Sequence, residues 1–140
     1  MSSFTDLPIV SPLHNGKEWV LRKNFIYEIG FLGSEDKIVV PSGFVTDFAS
    51  VPRIFWTILP SVGKYSSASI LHDYLYFSKI KSRKESDKIF YEAMLISGVK
   101  KWKAKIMHKI VRIFGAKPYK KSKRYIIEPL DGYVEVGKIE

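Results

Sequence analysis

Ser82-Arg83-Lys84-Glu85 is a capping box: a serine placed to accept a backbone N–H three residues on, and a glutamate placed to reach back. It marks a helix start, and that helix reads on to Ser97, with Gly98 as its stop. Ile89, Phe90, Ala93, Met94 and Leu95 form its apolar stripe. The stretch before it offers a helix from Ser66 or Ser67, both good N-caps, to about Ser78. Only Lys79-Ile80-Lys81 separates the two. A link that short makes them antiparallel neighbours. The rest of the chain has to be packed around this helical hairpin.

The first helix carries His72-Asp73-Tyr74-Leu75-Tyr76. At i and i+4, His72 and Tyr76 stand on one face, and Asp73 sits about 100° further round. Asp87, near the start of the second helix, is placed to face His72 across the antiparallel pair. A carboxylate there would hold the imidazole in one tautomer and stabilise its protonated form. Two readings fit this pattern. One is a base with its orienting acid; the other is a buried histidine whose hydrogen bonds are satisfied, with Asp73 at the helix rim.

Upstream, residues 1–16 contain Pro8, Pro12 and Asn15-Gly16 and read as an irregular arm. Trp19, Val20, Phe25, Ile26, Tyr27 and Ile29 argue for one strand or two short ones. Gly33-Ser34-Glu35-Asp36 is a turn, and Lys37-Ile38-Val39-Val40 a strand stopped by Pro41. From Pro41 to Pro52 the chain reads as a shaped, buried loop, in which Asp47 forms an Asx-type turn or the exposed carbonyls meet a cation. A short helix over 52–59 follows. A third helix runs from about Lys100 to Phe114, carrying Trp102, Ile106, Ile110, Ile113 and Phe114, and Gly115 closes it. Tyr125-Ile126-Ile127 and Tyr133-Val134-Glu135-Val136 form a terminal hairpin or an arm lying on a partner. The expected fold is α+β: a small antiparallel sheet, then a three-helix core, with extended termini. The expected organisation is one domain, with an arm at 1–16, a core at 17–115 and a basic arm at 116–140, since 140 residues hardly suffice for two cores.

His at i, Asp at i+1 and Tyr at i+4, with an Asp on the antiparallel helix, resembles the secreted phospholipase A2 superfamily. The likeness is to its compact disulfide-free versions, such as the parvovirus-capsid domain. Ser86-Asp87-Lys88-Ile89-Phe90 fits the second half of that pattern, and Asp47-Phe48-Ala49-Ser50-Val51-Pro52 is similar to the loop of the bacterial and fungal members. The resemblance implies that His72 is the general base, that Asp87 orients it and that Tyr76 binds that Asp. It also implies Asp73 as a calcium ligand, with carbonyls of residues 43–52 completing the shell and Asp47 as a substitute second carboxylate. The superfamily's glycine-rich calcium loop is missing: only Gly43 lies in the corresponding stretch. A second resemblance covers roughly residues 37–115. Gly43-Phe44-Val45-Thr46-Asp47-Phe48-Ala49-Ser50-Val51-Pro52-Arg53, Trp56, His72 to Tyr76, and Asp87 to Met94 look like a small tailed-bacteriophage family of unassigned function. It implies a phage or prophage origin.

Lys100 to Arg124 holds eleven Lys or Arg residues and no acid, within a chain of formal charge +9. Lys101, Lys105 and Lys109 avoid the Trp102–Ile106–Ile110 stripe and are the candidate contacts to an anionic partner. That partner is anionic membrane lipid, nucleic acid or another virion protein. The alternative is a core helix with solvated lysines. Without cysteine there is no disulfide, thiolate metal site or cysteine nucleophile. The amino terminus lacks the plan of a secretory signal, and no apolar run approaches a membrane span, so virion or host cytoplasm is the expected location. Two functions are therefore expected side by side. One is calcium-dependent ester hydrolysis at a membrane; the other is a non-catalytic structural or assembly part of a phage tail or head.

Overall fold

The computed structural model describes residues 2–4, 7–14, 18–30, 33, 35–46, 66–120 and 125–127. Among the described residues seven strands precede or flank four helices, an α+β architecture as expected. The strands are β1 (Ser3–Phe4), β2 (Val10–Pro12), β3 (Trp19–Leu21), β4 (Phe25–Glu28), β5 (Lys37–Val40), β6 (Phe44–Thr46) and β7 (Tyr125–Ile126). The helices are α1 (Ser66–Ser78), α2 (Arg83–Ile96), α3 (Lys101–Phe114) and α4 (Ala116–Lys120).

Instead of one small sheet there are two, both antiparallel: β1-β4-β5 and β2-β3-β6-β7. The stretch from Trp19 to Glu28 is two strands, and they belong to different sheets. In the first sheet, Ile38 and Val40 of β5 point inward while Lys37 and Val39 face water, the period-2 pattern of a half-buried strand. Phe4 of β1 stacks on Phe25 with ring centroids 5.0 Å apart and leans on Tyr27 at 4.7 Å. The amino-terminal residues expected as an irregular arm thus add one strand to each sheet. Their apolar side chains have a buried surface to cover, which an exposed arm would lack.

Phe44–Thr46 lies within the stretch expected to be a loop, yet it pairs with both β3 and β7. All three of its residues are buried, so no alternation marks it as a strand. Gly43 enters it at φ +90°, and its amide donates to Leu21 O at 2.6 Å while its carbonyl accepts from Ile127 N at 2.8 Å. A Cβ at Gly43 would stand 2.3 Å from Ile127 O, so backbone freedom and space both demand glycine here. The expected Asp47 turn, the helix over 52–59 and the segment 133–136 lie outside the described residues.

α1 and α2 form the antiparallel hairpin, and α3 packs against α2. The Ser82 hydroxyl accepts Glu85 N–H at 3.1 Å, which is the capping box in place. Phe90, Ala93 and Met94 of α2, together with Ala68, Ile70, Leu71 and Leu75 of α1, meet Phe25, Ile38, Val40 and Phe44 of the sheets in one core. Tyr27 ties sheet to hairpin directly, its hydroxyl donating to Glu92 Oε1 at 2.7 Å. Gly115 closes α3 as expected, its amide donating to Val111 O at 2.9 Å, but the helical region goes on beyond it. The glycine is a turn at φ −80°, and α4 continues at once, folding back so that Tyr119 meets Tyr76 edge-on at 5.2 Å. No helix among the described residues is long and apolar enough to cross a membrane.

Candidate functional site

The hairpin brings three of the expected site residues together. His72 Nε2 lies 2.8 Å from Asp87 Oδ1, and the Tyr76 hydroxyl donates to that same oxygen at 2.5 Å. An ionised carboxylate only accepts, so Nε2 carries a proton and donates it to Asp87. The imidazole is held between Tyr76, with centroids 4.2 Å apart, and Phe90, stacked at 4.5 Å. His72, Tyr76 and Asp87 are all fully buried.

A fourth member comes from α3. Arg112 Nη1 donates to Asp87 Oδ2 at 2.7 Å, so both carboxylate oxygens are bound. Arg83 from α2 donates to the carbonyls of Val111 and Arg112 in the last turn of α3, which ties the helix carrying Arg112 to α2. Burial pushes the Asp87 carboxyl up, but the hydrogen bonds from His72, Tyr76 and Arg112 and the attraction of His72 outweigh it and hold the carboxyl below its ordinary value. Burial, reinforced by the Asp87 charge, pushes the Tyr76 phenol above its ordinary range, so it stays a donor.

Sequence reasoning missed Arg112, because among eleven basic residues nothing in its spacing singles it out. It also missed His108, one turn before Arg112, which packs edge-on against Tyr91 at 5.7 Å. Burial lowers the His108 pKa, and the charges of Asp87, Arg112 and His72 all act on it, so it belongs to the same neighbourhood. The one available signal was its i, i+4 relation to a residue whose own role was hidden.

Asp73 takes a different direction. It is fully buried, and the Thr46 hydroxyl at the end of β6 donates to its Oδ2. The 100° offset from His72 that the helix imposes sends it to the sheet. Asp47, the other expected metal ligand, lies outside the described residues. Among the described residues, no group of three or more His, Cys, Asp or Glu side chains could hold a metal. A calcium shell takes six to eight oxygens, and residues 47–52, expected to supply most of its carbonyls, lie outside the described residues. Lys101, Lys105 and Lys109 of α3 are exposed, and none of them takes part in the bonds to Asp87 described above.

Fold and site together define a small α+β protein with a helical hairpin closed over a buried His–Asp–Tyr–Arg network. The chain belongs to the family described as Protein of unknown function (DUF1353), which it matches over residues 19–111. Two relatives come from Sinorhizobium fredii (strain NBRC 101917 / NGR234). The one named Uncharacterized protein y4jT is 40% identical over 78 residues, covering 54% of this chain and 23% of its own length. Uncharacterized protein y4iH is 36% identical over 75 residues, covering 50% of this chain and 30% of its own. This chain therefore spans less than a third of either relative. No solved structure gives a significant match.

Proposed function

We propose that the chain is an ester hydrolase of phospholipase A2 type, encoded by a tailed phage or prophage, with His72 as its general base. The observation that carries this reading is the shared Asp87 oxygen. It binds Nε2 at 2.8 Å and the Tyr76 hydroxyl at 2.5 Å, the arrangement of an imidazole base with its orienting acid. In the reaction, Nδ1 takes a proton from water while the water oxygen attacks the ester carbonyl. The carbonyl electrons move onto its oxygen, and their return expels the alcohol, which takes the proton back from Nδ1. Asp87 stabilises the imidazolium formed between those two steps.

A second reading is favoured by a specific observation. His72 and Asp87 have no exposed surface, and Asp87 is ion-paired on its other oxygen. A closed and satisfied polar cluster of this kind also serves a non-catalytic building block of a virion, where it fixes the packing of three helices. The two readings separate on release of fatty acid from mixed phosphatidylcholine–phosphatidylglycerol vesicles, with calcium or with chelator. The hydrolase reading expects release by the wild-type chain and a loss of roughly 100-fold or more in kcat/KM for His72→Gln. Absence of release under both conditions overturns it and leaves the structural reading.

A further inference from the structure

α3 presents two apolar stripes, and the core uses only one. Ala104, Met107, Ile110 and Val111 are buried against the hairpin. Trp102, Ile106 and Ile113 are 56%, 40% and 68% exposed. At 100° per residue these three fall within roughly 40° of one another, a continuous apolar ridge along the outside of the helix. Lys101, Lys105 and Lys109 form an exposed row beside that ridge, and Lys103 lies on its other flank. Phe114, 49% exposed, extends the apolar surface at the carboxyl-terminal end. The two bulkiest apolar side chains of the helix, Trp102 and Phe114, are among those left exposed, the reverse of what core packing alone would select.

We infer that this outer face of α3 docks on an anionic lipid surface, with Trp102, Ile106 and Ile113 entering the headgroup–acyl boundary and Lys101, Lys105 and Lys109 meeting lipid phosphates. Charge complementarity argues for this occupant. Four or more cations on an amphipathic helix are the arrangement that anionic bilayers attract. Lysines alone would suffice to track nucleic-acid phosphates, and such contacts leave the exposed tryptophan and isoleucines without a role. The core of a protein interface is depleted of charge, whereas here lysines run along both flanks. Trp102 has the apolar body and polar N–H suited to a membrane–water boundary.

The test is co-sedimentation of the full chain with vesicles of phosphatidylcholine alone and of phosphatidylcholine with phosphatidylglycerol, at low and physiological salt. Binding is expected only with the anionic lipid, weakening as salt rises. Charge reversal at Lys101, Lys105 and Lys109 together should reduce it by about 100-fold or more, since each basic residue near such a surface contributes roughly a factor of five. Trp102→Ser with Ile113→Ser should abolish it, while Lys88→Glu on α2 should leave it unchanged. Brominated lipid should quench a component of the fluorescence that Trp102→Phe removes, which reads insertion without any destabilising change. Three results would overturn the inference: no binding at low salt; equal binding of DNA by the wild type and the Trp102→Ser/Ile113→Ser variant; or a dimer in solution that Ile113→Ser dissociates. Because nothing here depends on ester cleavage, a chain that binds vesicles without releasing fatty acid keeps this inference and loses the hydrolase reading.

Discussion

Replacing Asp87 by Asn keeps the shape of the side chain and removes its charge, so it isolates what that charge contributes. Three donors converge on Asp87: His72 Nε2 at 2.8 Å, Tyr76 OH at 2.5 Å and Arg112 Nη1 at 2.7 Å. An asparagine oxygen still accepts from His72 and Tyr76, but its NH₂ then faces Arg112, donor against donor. Breaking one side of a buried ion pair costs about 3–5 kcal/mol. Because Arg112 is 34% exposed and regains some water, the low end applies, about 3 kcal/mol. For 140 residues, an unfolding entropy of roughly 2 cal/mol/K per residue converts that into a fall in Tm of about 10 °C. The pH dependence has a definite sign. The Asp87 carboxyl is held below its ordinary value of 3.8 in the folded chain. Its contribution is therefore complete above that pH and is lost as pH falls through the lower folded value. Thermal melts of wild type and Asp87→Asn should differ by a constant amount at neutral pH and converge as pH drops below about 4. Adding Arg112→Met to Asp87→Asn should recover part of the loss, since the unpaired cation is then gone. A variant melting within about 2 °C of wild type at pH 7, or a gap that widens in acid, would refute the network as described.

Gly115→Ala should destabilise the chain although its φ of −80° suits any residue. The added Cβ would stand 2.3 Å from Val111 O and 2.5 Å from the Tyr76 hydroxyl, so either the α3–α4 turn or the Tyr76–Asp87 bond must shift. A loss of about 1–3 kcal/mol in chemical unfolding, the usual cost of overpacking, is expected, and a neutral result would show that the turn relaxes freely. Thr46→Val removes the hydroxyl that donates to buried Asp73. It should cost about 1–3 kcal/mol by the same measurement, and no loss would mean that Asp73 is held by its other interactions alone.

The helices are legible in the sequence because their signals are local. A capping box, a three-residue link and an i, i+4 repeat each act within a turn or two, and together they suffice to place His72, Tyr76 and Asp87 on facing surfaces. The sheets are less legible. Ser3–Phe4 and Val10–Pro12 are too short to show a period of two, and Phe44–Thr46 is buried on both faces, so it carries no alternation. Which strand joins which sheet depends on pairings between residues as distant as Val45 and Tyr125, and no local pattern encodes those. α3 misleads for another reason. Its sequence holds two apolar stripes, and side-chain size favours Trp102 and Ile106 as the buried one. The core takes Ala104 and Met107 instead, which leaves Arg112 on the side from which it reaches Asp87.

That rotation of α3 links the two parts of the molecule that carry a functional reading. Arg112 is partly exposed while the carboxylate it binds has no exposed surface, so one side chain spans the distance from solvent to the buried network. Its backbone carbonyl is gripped by Arg83 of α2, so α3 cannot rotate or slide without straining both contacts. The helix with the lysine row and the outward Trp102 ridge is therefore the helix that neutralises Asp87. A displacement of α3 on its outer face would alter the charge balance around His72, and a change in the network would in turn loosen the seating of α3. The buried cluster and the basic surface share one helix, which is why their tests have to be read on the same intact chain.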